Sequence, residues 1–221
     1  MDDLDAVNPF RTLVARSRDR ILVDNALTPT PDEIAGVAPI LSRPTPLYVE
    51  IGSGSGGHLI QRAYEDPESI YIGFELRYKR AYRTIEKSLE RNISNTYILR
   101  TNAKHLGLIF PPSSISGVYV NFPDPWEKRH WLKNRILSPE FLSTIATVLK
   151  PGGFLSYKTD HPEYFARTVS LLEENNQFVQ AAHTTNLHQS EWNADNVLTE
   201  FEKLFTSQGL LINFVRYLKQ G

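Results

Sequence analysis

From Leu47 onward the apolar and polar positions alternate between two periods. Short apolar runs, LYVEI, IYIGFE, TYIL, ISGVYV and FLSYKT, are four to six residues long and are bounded by glycine, proline or polar clusters, as buried strands are. Between them the apolar spacing turns helical. A glycine-rich turn opens a helix that runs to about Tyr64, a second spans Tyr78 to Arg91, and a short third covers Ala103 to Ile109. Ser138 is placed to cap a fourth that runs to Lys150, with Phe141, Leu142, Ile145 and Leu149 on one side, and Pro162 opens a fifth that reaches about Asn175. FVQAAHTT then predicts a strand, Thr199 to Gln208 a helix stopped by Gly209, and LLINFVRYL a last strand. Strand and helix in alternation imply an α/β fold, a mostly parallel sheet with helices on both faces.

The first 46 residues break that rhythm. A short helix is expected from Pro9 to about Arg20, followed by ILVDNAL, and prolines at 29, 31, 39, 44 and 46 then predict an extended lead-in. Two segments result: an N-terminal arm with its proline-spaced lead-in over 1–46, and one α/β domain over 47–221. Arg11, Arg16, Arg18 and Arg20 on the arm are cations that could meet a polyanion, but a solvated arm is the reading favoured.

Two stretches carry chemistry. Glu50-Ile51-Gly52-Ser53-Gly54-Ser55-Gly56-Gly57 lies where the first predicted strand turns into a helix, and Gly52, Gly54 and Gly57 satisfy G-x-G-x-x-G. Glycines there let the backbone turn tightly and approach a ligand. Glu75, 23 residues past Gly52 at the end of the next strand, stands where a ribose-binding acid belongs. Glu50 decides between cofactors. A carboxylate beside the loop opposes a pyrophosphate and favours S-adenosylmethionine, whose sulfonium and ammonium are cationic; an NAD(P)-dependent oxidoreductase is the alternative.

The second stretch is Asn121-Phe122-Pro123-Asp124-Pro125-Trp126, followed by EKRHWLKNR. Two prolines fix φ on either side of one carboxylate and push the preceding residues out of the helical region. Asp124 is therefore expected to be a rigidly held acid beside cations and rings, and the candidate catalytic residue.

Charge sharpens this. The net charge is only −1, yet Arg77 to Arg135 holds 12 Lys/Arg against 4 Asp/Glu, and Asp160 to Glu202 holds one Arg against 8 acids. So polarised a chain can present a basic face to phosphates. A non-catalytic RNA-binding module is thus a third reading. The chain has no cysteine, which excludes disulfides and thiol nucleophiles, and its histidines at 58, 105, 130, 161, 183 and 188 show no metal-ligand spacing, so no metal is expected. MDDLDAVNPF lacks the apolar core of a secretory signal and no apolar run approaches the ~18 residues of a membrane helix, so no membrane partner and a cytoplasmic location are expected.

With these segments in hand, the chain resembles the class I methyltransferases, and more closely the bacterial tRNA (guanine-N7-)-methyltransferases. YVEIGSGSGG, YIGFE, NFPDPWEKRHWLKNRILSPEF, LKPGG, KTDHPEY and LTEFEK carry the resemblance, in the family order, from about residue 47 to 210. It implies a single Rossmann-like methyltransferase domain, S-adenosylmethionine as cofactor and a tRNA guanine as substrate. It also implies that Glu50, Gly52, Gly54, Glu75, Asn102 and Asp124 line the cofactor, and that Lys128, Asp160 and Thr199, Phe201 and Glu202 bind substrate. The cations Arg129, Lys133 and Arg135 are expected RNA contacts. Thr199 and Glu202 equally spell a T-x-x-E capping box. The chain departs from the family at Asn102, usually aspartate, at Glu127 and Asn134 in the basic run, and at Glu200, often basic. Monomer and homodimer stay equally open.

Overall fold

The computed structural model describes residues 8–221; the first seven residues of the expected arm lie outside the described residues. One sheet organises the rest. Its strands are β1 (Ile21–Val23), β2 (Leu47–Ile51), β3 (Ile70–Phe74), β4 (Thr96–Leu99), β5 (Ile115–Asn121), β6 (Leu149–Thr159), β7 (Phe178–Thr184) and β8 (Asn213–Lys219). They lie in the order β1-β4-β3-β2-β5-β6-β8-β7, parallel from β1 to β6, with β8 antiparallel to β6 and β7 antiparallel to β8.

Helices α1 (Pro9–Arg16), α3 (Gly57–Glu65) and α4 (Tyr78–Glu90) cover one face, burying Val14, Leu59, Ile60, Ala81 and Ile85. Helices α2 (Pro31–Leu41), α5 (Leu106–Ile109), α6 (Pro139–Val148) and α7 (Pro162–Glu173) cover the other, over a core that includes Val37, Leu106, Leu142, Tyr157 and Tyr164. A third apolar cluster of Leu187, Ile212 and Phe214 takes in Phe205 of α8 (Glu200–Ser207). Helices therefore lie on both faces, as the alternation predicts.

The lead-in corrects one expectation. Residues 31–41 are helical, not extended, because Thr30 and Glu33 close a capping box and Pro31 occupies the first turn, where no backbone donor is needed. Pro39 lies inside α2 and cannot donate to the Ala35 carbonyl, and the helix ends two residues later. Upstream, β1 adds a three-residue edge strand against β4. The arm's cations are also partly spent: the Arg20 guanidinium donates to the carbonyls of Ile93, Ser94 and Thr96, and Arg18 lies 3.6 Å from both Asp24 and Glu33. A second correction concerns LKPGG, which belongs to β6 rather than to the helix end. Leu149 already pairs with Ile115, the register then shifts, and Gly152 takes φ +76° in the irregularity.

Strand order reverses between β2 and β5, since β2 leads to β3 on one side and β5 leads to β6 on the other. Ligands of such sheets bind beyond the carboxyl ends of the strands at that switch point.

Candidate active site at the carboxyl edge of the sheet

Five predicted residues leave the sheet at this one edge. Glu50 is the penultimate residue of β2, Glu75 follows β3, Asn102 follows β4, Asp124 follows β5 and Asp160 follows β6. Parallel strands bring them there because each strand runs into its loop at the same end.

Glu50 is 3 % exposed. Its Oε1 accepts a hydrogen bond from Asn121 Nδ2 at 2.8 Å and lies 3.2 Å from His58 Nδ1, while Oε2 is buried with no partner. Nothing singled out Asn121 or His58 as its holders in the sequence. The signal was strand parity: Glu50 pairs with Tyr119 across β2 and β5, so Asn121 shares its face. A buried carboxylate oxygen left open fits a cationic ligand group such as an ammonium.

The loop after Glu50 turns on Gly52, Gly54 and Gly56, at φ +74°, +57° and +78°. At Gly52 and Gly54 a Cβ would meet nothing within 4 Å, so their openness faces a place for a ligand. Gly56 differs. Its Cβ would lie 2.4 Å from the Thr84 methyl, whereas Gly57, third glycine of the motif, is simply the first residue of α3. Gly56→Ala is therefore expected to lower folding stability by about 2–4 kcal/mol, from left-handed strain plus overpacking. Gly52→Ala is expected to cost only about 1–2 kcal/mol, with its larger effect on cofactor affinity. Thermal melts and calorimetric titration of the two variants check this, and equal melting losses would contradict it.

Glu75 is 7 % exposed, and burial pushes its carboxyl up from the ordinary range, against the Arg77 N–H it accepts at 2.8 Å. Asn102 caps the turn after β4; its Oδ1 accepts the Lys104 N–H at 3.0 Å, which leaves one lone pair and the amide N–H₂ for a ligand. The open Glu50 oxygen, the glycine cradle and these two polar groups fit S-adenosylmethionine, and the buried Glu50 carboxylate would oppose a pyrophosphate.

The turn Phe122–Trp126 is stiff, as its prolines require. Phe122 and Trp126 hold φ +49° and +44°, a left-handed conformation that costs such residues about 1–3 kcal/mol and persists only when the surroundings impose it. One end is fixed by the Phe122 N–H donating to the Lys158 carbonyl at 2.9 Å. Asp124 itself is exposed and makes no hydrogen bond or ion pair with any described residue. Lys128, Arg129 and Lys133 are exposed too, with Lys128 Nζ 4.9 Å from the Trp131 ring, which packs edge-on against Trp126.

Two expectations change. Arg135, expected to contact RNA, has a side chain only 3 % exposed, stacked 4.5 Å over Tyr164 and paired with Glu163. A guanidinium so enclosed offers nothing to a phosphate. Glu202, expected to bind substrate, is fully buried: its Oε2 accepts from Lys158 Nζ at 2.7 Å and its Oε1 from Asn196 at 2.6 Å, with His188 Nε2 3.1 Å away. Its carboxylate also closes the capping box with Thr199, whose hydroxyl oxygen accepts the Glu202 N–H at 2.9 Å. The capping box is realised, and both side chains pin the first turn of α8. Phe201, in contrast, is 47 % exposed and stacks on Phe205, which tilts against Phe122 of the turn. Glu200 reaches the other way and accepts from the Ser55 hydroxyl of the glycine loop at 2.9 Å. The first turn of α8 thus bridges the loop and the Asp124 turn.

Among the described residues no group of acids and histidines is placed to hold a metal ion, and no helix is long and apolar enough to cross a membrane.

The chain is similar to known methyltransferases. A family described as putative methyltransferase matches residues 44–214. A tRNA (guanine-N(7)-)-methyltransferase of Bdellovibrio bacteriovorus is 33% identical over 174 residues, covering 79% of this chain and 83% of that protein. A bifunctional glycosyltransferase/methyltransferase of Fusobacterium nucleatum is 40% identical over 159 residues, 72% of this chain; the match spans 24% of that longer protein. Among solved structures, the 16S rRNA methyltransferase KamB superposes with a TM-score of 0.63 at 16% identity, over 91% of this chain and 99% of that one, a likeness of fold alone. The extent and identity of these matches make the chain a member of the bacterial tRNA (guanine-N7-)-methyltransferases, within the S-adenosylmethionine-dependent methyltransferase family.

Proposed function

We propose that this chain transfers a methyl group from S-adenosylmethionine to N7 of a guanine in tRNA, in the variable loop, and that Asp124 acts on the guanine. The observation that carries the reading is the pairing, on one sheet edge, of a buried acid with an open oxygen at Glu50 and a stiff turn presenting an unpartnered Asp124.

When bound, the cofactor supplies an electrophilic methyl on a sulfonium. The protein's part is to hold and align. Glu50 would hold the ammonium, Gly52 and Gly54 would admit the methionine end, Glu75 would hold the ribose hydroxyls and Asn102 the adenine. Guanine N7 has a free lone pair, so no proton need leave it, and alignment in a line with methyl and sulfur is the main requirement. The product purine is cationic. A carboxylate at Asp124 stabilises that growing charge or accepts from the guanine N1/N2 edge, and has no need to act as a base. Asp160, leaving the neighbouring strand, and the exposed Phe201 ring complete the guanine's surroundings. Lys128, Arg129 and Lys133 face outward to meet phosphates, the site's net attraction for RNA.

The test is methylation of unmodified tRNA. The protein with S-adenosylmethionine is expected to create a site cleavable by borohydride and aniline at one variable-loop guanine. No such site with saturating cofactor would defeat the reading. Replacing Lys128, Arg129 and Lys133 together is expected to flatten the salt dependence of tRNA binding, by about one unit of slope for each cation that meets a phosphate.

A further inference from the structure

The turn that carries Asp124 needs a hold at its far end. At the near end the Phe122 N–H is tied to β6, and at the far end the Pro125 carbonyl is met from outside the turn. One partner does this. Arg135 Nε donates to the Pro125 carbonyl at 2.6 Å, while its two terminal nitrogens grip both oxygens of Glu163, one at 3.0 Å. Glu163 is in the first turn of α7, whose N-cap is His161. The guanidinium plane lies over Tyr164, whose hydroxyl accepts the Leu137 N–H at 3.2 Å. Every donor direction of the fork used here is matched by a fixed acceptor. Arg135 in turn holds the Glu163 carboxyl below the ordinary range.

We propose that Arg135, through Glu163 and Tyr164, is a positioning residue that clamps the Pro125 carbonyl and so fixes where Asp124 meets the guanine. The proposal rests on the function just given and assigns Arg135 a part in it that is not RNA binding. A planar fork is required. Lysine offers one point charge and cannot bond Pro125 and both Glu163 oxygens from a single plane. Without the clamp the left-handed Trp126 conformation is free to relax, and Asp124 moves with it. Misplacement of about 1 Å costs on the order of 10²-fold in rate.

The experiment compares wild type, Arg135→Lys and Glu163→Gln. It measures S-adenosylmethionine and tRNA dissociation constants, the single-turnover rate at saturation of both, and the near-ultraviolet circular dichroism of the Trp126–Trp131 pair. For Arg135→Lys the saturated rate is expected to fall about 10- to 100-fold and the tryptophan signal to change, with both dissociation constants within about twofold of wild type. Glu163→Gln, on a largely exposed side chain that folding tolerates, is expected to show a weaker form of the same split and decides the matter should Arg135→Lys not fold. Weakened tRNA binding with an unchanged saturated rate would restore Arg135 as an RNA-binding residue and overturn the clamp. So would unchanged rate and unchanged tryptophan signal. Failure of the functional reading shows instead in the wild-type protein, where the tryptophan comparison still reports on the clamp.

Discussion

Asp124→Ala is expected to lose methyl transfer by a factor on the order of 10²–10³ at saturating tRNA and cofactor, the scale set by removing one preorganised charge-stabilising group from a reacting centre. The expectation follows from what surrounds Asp124. Its carboxylate props up nothing: it is exposed, has no partner among the described residues and sits in a turn held from both ends by other groups. Removing it therefore costs the fold little, and surface changes of that kind usually fall within about 0.5 kcal/mol. Cofactor affinity should move only slightly, because Glu50, the glycine loop and Glu75 remain. A calorimetric titration beside a single-turnover assay separates the two effects. Full activity in the variant would remove Asp124 from the chemistry, and loss of cofactor binding would reassign it to the cofactor.

The second large effect concerns stability. Lys158→Met is expected to cost about 3–5 kcal/mol, because it strands the Glu202 carboxylate in a place water does not reach. Burial already pushes the Lys158 ammonium down from the ordinary lysine range, against the Glu202 carboxylate that pulls it up. In a chain of 221 residues such a loss lowers the melting temperature by roughly 10 °C. The double variant Lys158→Met/Glu202→Leu should recover most of it, since it removes both charges together. The same pair anchors the first turn of α8 to β6, so single variants should also loosen Phe201 and weaken tRNA methylation as a consequence. A Glu202→Gln protein that melts like wild type yet binds tRNA poorly would return Glu202 to the substrate site.

These two residues show how far the sequence could be read. Asp124 was legible because its constraint is local: two prolines and a carboxylate specify a stiff acidic turn wherever it folds. Glu202 was ambiguous for the opposite reason. T-x-x-E at Thr199 describes a cap, but the partner that buries the glutamate, Lys158, lies 44 residues away on strand β6. Arg135 is ambiguous in the sequence on the same ground. In the sequence it ends a basic run, and only the approach of α7 turns it inward onto Glu163. In the lead-in the proline spacing conceals a helix, because the Thr30–Glu33 capping box and Pro31 at its first turn make α2.

By itself, then, the chain determined its alternation of strand and helix, the glycine loop behind Glu50 and the rigid turn at Asp124, because periodicity, turn chemistry and proline geometry act over a few residues. Tertiary structure alone decided which charges remain available. It gathered the strand ends on one edge, buried Arg135, Lys158 and Glu202 in paired surroundings, and left Asp124 and the Lys128–Lys133 cations in the open. Whether a charged side chain binds a ligand or braces the fold depends on which opposite charge the sheet brings beside it, and that distance is not written in any single stretch of sequence.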